Sequence, residues 1–157
     1  MARANEMMLS RNAVVDALEL ALRKAEESAR LALDELSSSL SKETKSTVGD
    51  KHETGRAMVQ REMEQAGERL ARCEAMQSAF VRLDMRRKRS AVGPGTILVS
   101  GDARLLIGIG FGPFEVPGMG RFQAISADAP IAQALAGSRV GEWHEFRGRR
   151  WTVESLT

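Results

Sequence analysis

Apolar residues recur at steps of three and four through the first half of the chain. From about Arg11 to Lys42 they fall at Val14, Leu18, Leu22, Ala25, Ala29, Ala32, Leu36 and Leu40. That spacing draws one stripe down a helix. Ser10 and Asn12 are candidate N-caps. A second stripe follows from about Glu53 to Arg86: Val59, Met63, Ala66, Leu70, Cys73, Gln77, Phe80 and Leu83, with Met76 beside it. Its alternating steps are those of a heptad repeat. Each stripe needs a partner to leave water. Two arms of matched length on either side of a short polar break, Thr44 to Arg56, predict an antiparallel coiled-coil hairpin. Arms of ~32 residues would be ~48 Å long, with the polar break at the tip.

Beyond residue 90 the pattern changes. Short apolar runs alternate with turn residues, and all four prolines and eleven of the 14 glycines lie there. The predicted elements are strands over Thr96–Ser100, Leu105–Ile109 and Phe122–Ser126 and a short helix over Pro130–Leu135. A closing hairpin pairs Glu142–Phe146 with Trp151–Leu156 across Arg147-Gly148-Arg149-Arg150, with Trp143 and Trp151 as packing residues. Gly112-Pro113 and Pro117-Gly118 read as breaks. The fold class is therefore α+β: residues 1–90 form the hairpin, with its tip at 44–56, and residues 91–157 form a small β-rich domain.

Charge adds little. Lys and Arg number 23 against 21 Asp and Glu, and mixed signs along helices read as solvated faces. Arg86 to Arg89 form a basic run that would sit at a helix C-terminus, where the dipole favours it, or contact phosphates or an acidic surface. Cys73 is the only cysteine, so an internal disulfide is excluded and a reducing compartment fits. On its stripe it reads as a core residue. No run is apolar enough for a signal peptide or a membrane span, so a cytoplasmic protein without a membrane partner is expected.

Catalytic patterns are missing. Gly108, Gly110 and Gly112 do not run into a helix, and no Gly-Lys-Ser/Thr follows, so a nucleotide loop is rejected. His52 and His144 have no nucleophile context, and nothing matches a zinc site. Asp50 and Glu53 stand out. Three apart at the start of the second arm, they share one side of its first turn. Asp50 can be the N-cap with Glu53 its capping-box partner, or the two carboxylates can present a divalent metal site.

Two stretches carry a resemblance. Ile125-Ser126-Ala127-Asp128-Ala129-Pro130-Ile131-Ala132-Gln133-Ala134-Leu135-Ala136-Gly137, followed by Val140-Gly141-Glu142, is similar to the pattern S-x-x-S-P-[IL]-A-[RK]-A-L-[IL]-G-K-x-x-G-D. Gly49-Asp50-Lys51-His52-Glu53 resembles the tip sequence G-D-L-S-E-N-A-E-Y. Both patterns belong to the GreA/GreB family of bacterial transcript-cleavage factors, and with the helices between them the resemblance spans nearly the whole chain. It implies an FKBP-like second domain docking at the rim of the RNA polymerase secondary channel, with the coiled coil entering it. Asp50 and Glu53 would then help hold a second Mg²⁺ in the polymerase active centre, next to the RNA 3′ end, and stimulate cleavage of backtracked transcripts. The chain would be a monomeric accessory with no catalytic residue and no cofactor of its own. Departures lie at the tip. Lys51 and His52 replace Leu-Ser. Thr54, Gly55, Arg56 and Ala57 replace Asn-Ala-Glu-Tyr, and Lys45 adds another charge. Lys51, His52 and Arg56 would modulate the acids, so a channel inhibitor or modulator without cleavage activity is the alternative. Ala129 stands in place of the Ser before Pro. A prolyl isomerase or chaperone, and a purely structural coiled-coil dimer, are the remaining readings; the low aromatic content argues against the first.

Overall fold

The computed structural model describes residues 9–44 and 50–157, and side chains outside residues 43–53. The protein is α+β. Two long helices, α1 (Arg11–Thr44) and α2 (Asp50–Arg82), precede seven strands and one short helix. The chain divides into two compact units, Met1–Ala21 with Met76–Thr157, and Leu22–Ala75.

Ser10 starts α1. Its carbonyl accepts from the Val14 amide at 3.1 Å, and its Oγ accepts from the Ala13 amide at 3.3 Å, which answers one of the unpaired amides of a first helical turn. Val14, Val15 and Leu18 are wholly buried. In the unit Leu22–Ala75, Leu22, Ala29, Ala66 and Cys73 are buried, all four on the expected stripes. Here the helices run back alongside one another, and Arg30 on α1 reaches Glu74 on α2 at 3.8 Å. Both ends of that ion pair are exposed, so it marks the register more than it stabilises.

The other unit is built on a five-stranded sheet. Its strands are β1 (Ile97–Ser100), β2 (Ala103–Ile107), β3 (Gly112–Val116), β4 (Gly120–Ile125) and β7 (Ser155–Leu156), in the order β3-β4-β2-β1-β7. Only β2 and β4 are parallel; the other pairs are antiparallel. Helix α3 (Pro130–Leu135) contributes Ala132 and Leu135 to a core with Leu98, Leu105, Ile107 and Val153. By register, Ile97, Leu106, Ala124, Phe122 and Phe114 share the opposite face of the sheet, and they too are buried. A separate two-stranded sheet pairs β5 (Trp143–Phe146) with β6 (Arg149–Thr152).

Arg11 ties the start of α1 to the segment leading into the sheet. It is 5% exposed, and its Nε and Nη2 donate to the carbonyls of Met85 (2.7 Å) and Gly95 (2.6 Å). Burial, and then the neighbouring Arg89 guanidinium, lower its pKa to about 10, against a smaller opposing pull from Asp84. It stays protonated at neutral pH. Leu83, just past the end of α2, meets the same part of the sheet unit. Gly108 has φ +123°, a conformation that favours glycine, and a Cβ there would lie 2.7 Å from the Leu83 Cδ1, which would have to move.

Four expectations are corrected. Helix α2 ends at Arg82 rather than Arg86, because Asp84 turns the chain with φ 46°. The basic run therefore lies past the helix. Arg86 pairs with Asp16 at 2.5 Å and Glu19 at 3.6 Å, and Arg89 donates to the Leu83 carbonyl at 2.5 Å. The stretch between the two predicted breaks is strand β3. The last predicted strand is two strands, since the chain changes partner after Thr152: the Val153 amide donates to Glu142 O, and the Glu154 amide to Val99 O, both at 2.9 Å. Trp143 is not a packing residue; it is 51% exposed.

Candidate functional site

Helix α2 begins at Asp50. Asp50 and Glu53 are thus in its first turn, at the i and i+3 positions that share a side of a helix. A carboxylate in a first turn interacts favourably with the unpaired amides and the positive end of the helix dipole. Arg56 follows Glu53 by another three positions and is exposed. The side chains of Asp50, Lys51, His52 and Glu53, and Lys45 altogether, lie outside the described residues. So does the choice between an N-cap and a metal-presenting pair. Among the described residues, no three His, Cys, Asp or Glu side chains are grouped to hold a metal ion, and no helix is long and apolar enough to cross a membrane.

The segment that carries the longer resemblance forms the turn into α3 and the helix itself. Ser126 organises the turn: its Oγ accepts from the Asp128 amide at 3.2 Å, and its carbonyl from the Ala129 amide at 3.0 Å. Pro130 occupies the first helical turn, where its missing N–H costs nothing. Ala129, at the N-cap position, offers no side-chain acceptor. After the helix, the Gly137 amide donates to Val92 O and the Val92 amide to Ser138 O, both at 2.8 Å. This ties the α3 turn to the entry of β1. Glu142 is likewise local, accepting from the Arg139 amide at 3.1 Å. These residues shape the backbone.

The chain matches no family model, no curated protein and no solved structure.

A second feature escaped the sequence reading, which treated Arg147 to Arg150 only as a turn. Each arginine of that segment lies over an aromatic ring: Arg147 over Phe146 (5.1 Å), Arg149 over Trp151 (4.5 Å) and Arg150 over Trp143 (3.7 Å). The signal was present as the close interleaving of Arg with Phe and Trp between Trp143 and Trp151. His144 is exposed on the same hairpin, directly across from Trp151.

Proposed function

We propose that the protein is a bacterial transcription elongation factor of the GreA/GreB type that enters the RNA polymerase secondary channel. The observation that carries this is the start of α2 at Asp50, which puts both tip acids into the first turn of a long helix beside the break between the arms. Helices of 34 and 33 residues agree with the two expected arms. The small sheet with α3 against one face is compatible with an FKBP-like second domain.

In this reading the polymerase is the enzyme. Asp50 and Glu53 supply hard oxygen donors of the kind Mg²⁺ takes. Two side chains leave most of an octahedral shell to the polymerase, the RNA and water, so the ion belongs to the complex and not to this chain. When bound, it would lower the pKa of an attacking water and offset charge on the scissile phosphate. The exposed, basic Arg56, in place of an acid, favours one alternative: a channel modulator that binds without stimulating cleavage.

The test is RNA cleavage in stalled, backtracked complexes with the cognate polymerase. Wild type is compared with Asp50→Ala/Glu53→Ala. Cleavage stimulated by wild type and lost in the variant, with binding retained, supports the metal-holding role. Binding without cleavage assigns the modulator role. Absence of binding overturns the polymerase reading.

A further inference from the structure

We propose that the β5–β6 hairpin is a binding surface for single-stranded nucleic acid. Pairing of Trp143 with Thr152, His144 with Trp151, Glu145 with Arg150 and Phe146 with Arg149 sorts the side chains onto two faces. Trp143, Glu145 and Arg150 share one face; His144, Phe146, Arg149 and Trp151 share the other. One arginine–tryptophan stack therefore lies on each face, and the third stack, Arg147 on Phe146, lies at the turn.

Three observations point to an anionic ligand. Arg147, Arg149 and Arg150 are exposed, and none forms an ion pair among the described residues, whereas Arg30, Arg86 and Arg121 all do. Glu145 stands directly across from Arg150 yet does not pair with it. A guanidinium whose carbon sits over a ring spends no N–H on a carboxylate, and its fork of donors matches a phosphate. Finally, the turn is Arg147-Gly148 with φ 51° and 72°. Hairpin turns of this hand favour Asn, Asp or Gly at the first position, so the arginine occupies the left-handed region at a conformational cost.

The arrangement favours a flexible chain over a folded acidic surface. Arg150 lies on one face, Arg149 on the other, whose Trp151 packs against the core of the sheet, and Arg147 at the turn, so a flat protein partner would not meet all three. A single strand can pass around the turn, and Trp143, half exposed even beneath Arg150, offers a platform for a base.

The test uses the full chain without polymerase, so its outcome is independent of the polymerase reading. A fluorescently labelled 12-nucleotide oligouridine is titrated and followed by anisotropy, with tryptophan quenching as a second readout. Three phosphate contacts predict a log–log salt slope of about −2. Arg147→Gln/Arg150→Gln should weaken binding at least ~10-fold at low salt and cut the slope to about −0.7. Trp143→Ala should weaken it about 10-fold with the slope unchanged. Arg147→Lys/Arg150→Lys keeps the charge and the exposed sites but loses the fork, and should lower affinity at constant slope. Arg61→Gln/Arg69→Gln, an equal loss of exposed charge elsewhere, should leave affinity within about two-fold. Melting curves confirm that each variant folds. Absence of binding, equal binding of polyglutamate, tighter binding of duplex than of single strand, or equal losses in the hairpin and control variants would each overturn the proposal.

Discussion

Arg11 is charged and buried, and it donates to carbonyls 74 and 84 residues away in sequence. Its lowered pKa means that burial works against its charged form. By linkage, this group's contribution to stability rises as pH climbs above about 10 toward its ordinary value, because the unfolded chain then binds more protons. The hydrogen bonds act the other way, since truncation leaves two buried carbonyls without donors. Arg11→Met is therefore expected to destabilise the fold by about 2–3 kcal/mol, read as a lower urea midpoint at unchanged m. A change under ~0.5 kcal/mol would show that water replaces the guanidinium. Ala129 gives the opposite sign. It caps α3 without an acceptor, at φ −58° and ψ 137°. Ala129→Ser is expected to stabilise by about 0.5–1 kcal/mol, and a lower melting temperature would mean that its partly buried site cannot take the hydroxyl.

What the sequence makes legible at the level of elements follows from whether the physical cause is local. The α1 stripe is local: Val14, Leu18, Leu22 and Ala29 repeat at helical spacing, and all are buried. Helix α3 is bounded by Pro130 and Gly137, and its predicted limits agree with the structure. Strand β3 was missed because its Pro113 reads as a breaker. It lies on the edge of the sheet, where a missing amide breaks no ladder. The end of α2 was misplaced because Leu83 continues the stripe, while the turn comes at Asp84, which takes φ 46° though aspartate also sits readily inside helices. That Asp50 and Glu53 share one turn at the start of α2 was legible by spacing. Of the arginine–aromatic contacts, Arg147 over Phe146 and Arg149 over Trp151 are local and carried a sequence signal, whereas Arg150 over Trp143 depends on the cross-strand register. Gly67 allows a test of helix α2 itself. It lies mid-helix, its φ is not positive, and a Cβ there would meet nothing within 4 Å. Gly67→Ala should stabilise by about 1 kcal/mol, with slower amide exchange in the surrounding turns. Loss of stability would mean that the glycine serves a close approach by a partner.

For the whole molecule, the compact units divide within the helices, at Ala21/Leu22 and Ala75/Met76, and not at the composition change near residue 90. The reason is that the helix ends belong with the sheet: Arg11 bonds to Gly95, and Leu83 lies against Gly108. The remaining length of the arms, Leu22–Ala75, forms the other unit. If the proposed function holds, its use is reach. Removing Arg30–Leu36 and Glu68–Glu74 together takes seven residues, about 10 Å of rise, from each arm. The stripes stay in phase, because Ala29 and Leu40, eleven apart in the chain, become four apart, and so do Ala66 and Gln77. Met1–Ala21 and Met76–Thr157 are untouched, so the sheet unit should keep its melting behaviour and the chain should still bind polymerase. Stimulated cleavage should fall at least ~100-fold, since a 1 Å misplacement alone can cost about that much. Cleavage at the wild-type rate from the shortened chain would show that the tip acids do not act by reaching the active centre. Loss of binding with the sheet unit intact would place the main polymerase contact on the arms.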